Sequence, residues 1–520
     1  MTEKERAQLA AIRALLARGA AEEAIQALEA LRAAVTADFL ARDAWRLHEL
    51  FGAAFRLLGD AEGCAQAYYE AARADRFLRS QREHYAAYLF ALHYLPGIAA
   101  ETLAAQHFAC GQLYGREDFS ENTGAREDSR RPVLRAPVEE EQGSAAAVTR
   151  SAGPLRVGFL APEFLDSAAA RFYDVFFDLP QVGFSLFAYS LSAEEDEETA
   201  RVRARTAAYR VLPSKDIAAA VACVHADRLD VLVDLGGHTA GGVTLPLVAQ
   251  RLAPVQIEAV GWFDTTGVPA VDALLTDGVM DPPGVEPLFT ERLCRLPQAW
   301  CFTPAAAMRA AAETVQRRAA RVGVTLAAFG NFLKLNGDVL ACWREVLQRL
   351  PEARLILQDT LRVPARVRHL RARLAAAGFP PRRVDVRLGS DTYLRDLAQA
   401  DLALDPFPYP GGAMTGTALA LGVPVVTMAG DHHSARVGCS LLAAAGHAEL
   451  IAHGAADYVR IVCALAGDDA RRARLREDLL RQQAPAILSA RRRAYVESFA
   501  ALLRVLAAEA AGAQRERGER

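Results

Sequence analysis

Lysine is almost missing from this chain: in 520 residues it stands only at Lys4, Lys215 and Lys334, and arginine carries nearly all the other positive charge. A lysine inside a motif is therefore informative, because a compact ammonium does what a planar guanidinium cannot. The eight cysteines are scattered, with no CxxC and no Cys/His ligand spacing, and Cys294 and Cys301 form the closest pair. That excludes a disulfide framework and a zinc module, and predicts reduced core thiols in a cytoplasmic protein. No apolar run is long and uninterrupted enough to span a bilayer. The opening stretch, MTEKERAQLAAIRALLARG, is charged and amphipathic, without a secretory apolar core. A formal net charge of −3 and the lack of a basic tract leave no electrostatic footprint for nucleic acid. What remains is 52% apolar and 24% charged, a well-cored globular composition of two or three domains.

Residues 1–78 read as helical hairpins. ARGAAEEAIQALEAL and LLGDAEGCAQAYYEAARAD each place a glycine before a helix, Gly19 and Gly59. A small residue follows five positions later, Ala24 and Cys64, and a large apolar one after that, Leu28 and Tyr68. This is similar to tetratricopeptide repeats, with a glycine spacing of 40 against the usual ~34. Two units are too few for a free solenoid, so they are expected to dock on a later part of the chain. Residues 79–115 continue as a helical connector, and 116–154 turn polar and irregular, as a flexible linker does. From Leu155 strands and helices alternate, predicting two doubly wound α/β domains, 155–315 and 316–485, then a helix and tail over 486–520.

One stretch has the grammar of a parallel sheet in full. Between Ala400 and Ala452 a strand over Leu402–Leu404 closes on Asp405, and a Pro/Gly-rich turn runs to Gly412. A small-residue helix continues from Ala413, and Gly422-Val423-Pro424 launches a second buried strand. A helix starting just after Gly411-Gly412 presents unpaired N–H groups and a positive dipole end, suited to a phosphate. An ordinary crossover without a ligand is the alternative reading. Upstream, DVLVDLGGHT ends a strand in a turn carrying His238, a titratable group at a strand terminus able to orient an acceptor or share a proton. A histidine bonded to a turn carbonyl fits the same pattern.

Taken in order, LRVGFLAPEF, DVLVDLGGHTAGG, LAPVQIEAVGWFDTTG, NFLKLNGDVLACW, ALDPFPYPGG, ALALGVPVVTMAGD and ARVGCSLLAAAGHAELIA resemble protein O-GlcNAc transferases, the SPINDLY-like glycosyltransferases of family 41. The resemblance covers roughly residues 155–455. It implies a GT-B fold, two Rossmann-like domains with a nucleotide-sugar between them, after an all-α repeat-like region. It also implies inverting transfer of a sugar to Ser or Thr of a protein, with no metal or other cofactor. The helical repeats would hold the protein acceptor.

By this resemblance Lys334 lies on the donor diphosphate, beside Asn331. Gly411, Gly412, Ala413, Met414, Thr415 and Thr417 form the donor turn. His433 and Arg436 lie near the same site, and Tyr393 falls where the family usually has a histidine against the base, a place where its aromatic face can stack. His238, Lys334 and Asp264 are the candidate catalytic residues. Several positions depart from the family pattern. Ala413 and Met414 replace two threonines, Thr417 replaces a ribose-binding carboxylate, Ser167 replaces a histidine, Leu333 replaces a polar residue, and Asp264 replaces a glycine. Asp264 is either an unusual base or a turn residue. The donor is a UDP-sugar or, given these changes, another such as a CMP-sugar, and a bacterial protein such as flagellin is a possible acceptor. Two other readings stand beside this one: a catalytically degenerate GT-B protein that binds partners, and a GT-B enzyme acting on a small molecule.

Overall fold

The computed structural model describes residues 1–115, 153–313 and 323–518, so the linker expected over 116–154 lies, but for its last two residues, outside them. The chain is interleaved between two compact units. One comprises Met1–Leu103 and Phe302–Ser489, the other Ala104–Cys301 and Ala490–Arg520.

In the first unit the chain begins with α1 (Glu3–Ala17), α2 (Ala21–Ala34), α3 (Ala37–Leu58), α4 (Ala61–Ala74) and α5 (Leu78–Leu92); α6 (Ala100–Gly111) comes next. α1 and α4 start on side-chain caps: Thr2 and Glu5 form a capping box, and Asp60 accepts from the Gly63 N–H. Gly19 and Gly59 adopt positive φ at the two hairpin turns. The apolar faces of α1, α2 and α3 close over Leu9, Ile12, Leu28, Leu31, Phe39 and Phe51. The expected docking is present. Ala21 and Leu58 share a buried cluster with Ala365, flanked by Leu57 and Val363, which joins the hairpins to the helix Pro364–Ala376.

That helix belongs to a sheet of six parallel strands: β8 (Thr325–Phe329), β9 (Arg354–Gln358), β10 (Val384–Arg387), β11 (Leu402–Leu404), β12 (Val425–Met428) and β13 (Ile451–Ala452). Their order is β10-β9-β8-β11-β12-β13. The second unit holds β1 (Leu155–Ala161), β2 (Phe184–Ser190), β3 (Ala208–Val211), β4 (Val231–Asp234), β5 (Val255–Glu258), β6 (Ala273–Asp277) and β7 (Arg292–Leu296). These are ordered β3-β2-β1-β4-β5-β6-β7, again all parallel. Strands such as VLVD and TLAAF are buried along their whole length, as parallel strands covered on both faces must be. Two Rossmann-like sheets after an all-helical segment constitute the GT-B fold. In each, strand order reverses once, between β1 and β4 and between β8 and β11, which is where ligands of such sheets sit.

The helix Pro485–Gly518 returns to the second unit. There the Phe499 ring lies 4.8 Å from Phe176, the Tyr495 hydroxyl donates to the Ala299 carbonyl at 2.9 Å, and Arg492 pairs with Asp174 and Asp178.

Candidate functional site

The reversal point of the six-stranded sheet is built from the loops after β8 and β11. Asp405 comes directly after β11 and organises the turn beyond it. Its carboxylate accepts from the Thr415 hydroxyl at 2.9 Å and from the Gly411 N–H at 3.3 Å. A side chain on Gly411 would meet Asp405 and Thr415 at 2.7 Å, so only glycine lets the turn close this tightly. Gly412 has φ +57° and caps the helix Ala413–Ala420. The sequence thus folds its Pro/Gly run into a turn whose helix points its N-terminus toward the strand ends.

Lys334 comes from the other side of the reversal, in the loop after β8. Its ammonium donates to the Pro410 carbonyl at 2.7 Å and lies 4.7 Å over the Tyr409 ring. Burial pushes its pKa down to about 8, against the opposing pull of the Asp405 charge. Burial likewise raises Asp405 to about 6, partly offset by its hydrogen bond from Thr415 and by Lys334. Asn331 caps the short turn Phe332–Lys334: its Oδ1 accepts from the Leu333 N–H at 3.1 Å and from Arg366 Nη2 at 2.5 Å. Leu333, at the position expected to be polar, is buried.

Among the other residues expected on the donor side, Ala413 and Met414 are half-buried at the start of the helix. The Thr417 hydroxyl turns back to the Ala413 carbonyl at 2.7 Å and is buried. Such back-bonding to position i−4 commits the hydroxyl to its own helix. Tyr393 opens the helix Tyr393–Ala398 and is half-buried. His433 is buried in the turn His433–Arg436, and Arg436 donates to the Gly430 carbonyl at 2.9 Å.

In the other unit His238 is 1% exposed, and its Nε2 lies 2.7 Å from the Thr266 carbonyl. Cys110 Sγ faces its Nδ1 at 3.9 Å, and Trp262 stands edge-on at 5.1 Å. Burial lowers its pKa to about 4, so the ring is neutral at physiological pH. Asp264 is buried, with Oδ1 accepting from the Thr265 N–H. Ser167 accepts from the Ala170 N–H at the start of a short helical turn. Beneath these loops the register partners Asp234 and Glu258 end β4 and β5 side by side, both fully buried. Burial raises both, Asp234 to about 6 and Glu258 well above the usual carboxylate range.

Sequence reasoning missed Tyr409, Arg366 and the organising role of Asp405. A carboxylate ending a buried strand was a usable signal for Asp405. Arg366 is one arginine among many in a helix, and nothing local marks it.

Three kinds of similarity bear on this arrangement. The family model for glycosyl transferase family 41 matches residues 140–314 and 312–498. The chain is 31% identical over 342 residues to an Arabidopsis thaliana protein described as probable UDP-N-acetylglucosamine–peptide N-acetylglucosaminyltransferase SPINDLY, a match covering 63% of this chain and 36% of that protein. The rice protein of that description is 31% identical over 332 residues, covering 61% of this chain and 35% of the relative. The chain thus spans about a third of the length of these plant relatives. A solved structure of a lysine-to-methionine variant of the Thermobaculum terrenum O-GlcNAc transferase aligns over 98% of this chain and 100% of its own, with 25% identity and a TM-score of 0.75. With both sheets inside the matched residues, the chain belongs to glycosyl transferase family 41.

Proposed function

We propose that this protein is a glycosyltransferase that moves a sugar from a nucleotide donor to a Ser or Thr hydroxyl of a protein, with inversion. The observation that carries the reading is the meeting of Lys334, the Gly411-Gly412 turn and the helix N-terminus where the order of the six-stranded sheet reverses. As the bond to the anomeric carbon breaks, negative charge accumulates on the leaving phosphate. A fixed ammonium and oriented N–H groups stabilise that charge without reorganising. We assign this role to protein groups and to no metal ion. The acceptor oxygen approaches from the opposite face of the sugar, which gives inversion. His238 serves in this reading as an organiser of the loop after β4, with its ring bonded to the Thr266 carbonyl.

The nucleotide is not fixed by the family pattern at this turn: Ala413 and Met414 offer no hydroxyls, and the Thr417 hydroxyl is spent on its own helix. Phosphate recognition therefore rests on the backbone and Lys334, and a donor other than UDP-GlcNAc, such as a CMP-sugar, fits as well. The test is a thermal-shift panel of UDP-, GDP-, CMP- and dTDP-sugars on the full chain, with and without EDTA. One donor is expected to raise the melting temperature whether or not EDTA is present, since ligand binding to the native state stabilises it. No shift with any of them would sink the enzyme reading and favour a partner-binding role for the fold.

A further inference from the structure

Three loops at the carboxyl ends of β8, β11 and β12 meet the end of a single helix, α5. The Asn336 amide donates both to the Tyr94 carbonyl, at 3.3 Å, and to the Phe407 carbonyl, at 2.7 Å. Ser434 Oγ lies 2.9 Å from Nδ1 of His93 and 2.9 Å from Nδ1 of His432. The rings of Phe90 and Tyr94 stand 6.4 and 5.1 Å from that of Tyr409, the latter nearly edge-on at 73°. Tyr409 in turn carries the Lys334 ammonium over its ring.

A lysine stem has four rotatable carbons, so one carbonyl bond alone orients its ammonium poorly. A ring face held by its own neighbours supplies the second constraint, and it favours the charged form through its quadrupole. Aromatic pairs at these separations are themselves attractive and directional, so α5 braces the ring it touches.

We propose that Tyr409 is a positioning residue that seats the Lys334 ammonium, and that the end of α5 is a built-in part of the donor site. The helical segment then sets the geometry of nucleotide binding, besides whatever polypeptide it presents. This rests on the reading of Lys334 as the phosphate ligand.

The scarcity of lysine makes a direct test possible. Reductive methylation of the full chain with ¹³C-formaldehyde labels Lys4, Lys215, Lys334 and the amino terminus, and K334R identifies the Lys334 resonance. Lying over a ring face, that resonance is expected upfield of the other two lysines. It returns to the ordinary position in Y409L, stays upfield in Y409F, and moves partway in Y94L. With UDP and CMP as probes in calorimetry, Y409L binds roughly tenfold more weakly, Y409F recovers most of that loss, and Y94L weakens binding several-fold. A Lys334 resonance at the ordinary position in the unaltered protein, or one that Y409L does not move, would overturn the seat. A resonance indifferent to Y94L would remove α5 from it. Should K334A bind both probes as well as the unaltered protein, the phosphate reading of Lys334 fails, while the resonance still decides whether Tyr409 seats it.

Discussion

Lys334 and Asp405 carry opposite perturbations with one cause, and the sign of each has a consequence. Lys334 has a folded pKa of about 8, below its ordinary value, so its charged form is disfavoured by folding. That cost is fully present below pH 8 and is relieved as pH rises from about 8 through the ordinary lysine range. Asp405, raised to about 6, costs stability at neutral pH, and that cost is relieved as pH falls through 6. For binding, the ammonium is mostly present at pH 7 and is lost above about 8. Affinity for a nucleoside diphosphate is therefore expected to fall as pH rises from 7.5 to 9.5, by roughly tenfold per unit at the steepest. Calorimetry across that range should show the fall, and Lys334→Arg should flatten it, because a guanidinium does not titrate there. The lysine's rarity marked it in the sequence. Its partners, the Pro410 carbonyl and the Tyr409 ring, lie 76 and 75 positions away and had no such mark.

At the scale of elements, the joint between the helical hairpins and the six-stranded sheet turns on one buried cation. Arg366, in the helix Pro364–Ala376, pairs with Asp359 after β9, donates to the Arg56 carbonyl in the last turn of α3 at 2.6 Å, and reaches Asn331 at 2.5 Å. Both charged side chains are 0% exposed. Replacing Arg366 by methionine leaves Asp359 buried without its partner, and such losses cost about 3–5 kcal/mol. Urea denaturation should show that loss, and Arg366→Lys should restore only part of it, because an ammonium cannot reproduce the fork. The elements themselves were legible: glycine before helix, apolar residues at helical spacing, and strand-turn-helix-strand over Leu402–Met428 all appear where the sequence predicts them. A helix's period shows which face is buried. It does not say which partner covers that face.

For the whole molecule, the chain crosses between its two units more than once, and its last helix completes the second. Phe499 is fully buried against Phe176 there, and Arg492 bonds the carboxylates of Asp174 and Asp178 at 2.6 Å each. Phe499→Ala is expected to cost about 3–5 kcal/mol, as large-to-small core changes do. Hydrogen exchange should report it as faster opening of β1 and of residues 174–182, with little change in the sheet of β8 to β13. By itself the sequence determined the fold class: an all-helical start, two alternating α/β regions, and a Gly-rich turn ahead of a helix, because periodicity and turn chemistry are local. It also singled out Lys334 by composition. Tertiary structure alone decided that the end of α5 meets Tyr409 in the turn after β11, that Arg366 links α3 to Asn331, and that the hydroxyl of Thr417 and the ring of His238 turn inward to backbone carbonyls. Those outcomes depend on which distant surfaces exclude water together, and on which buried polar groups then need a partner.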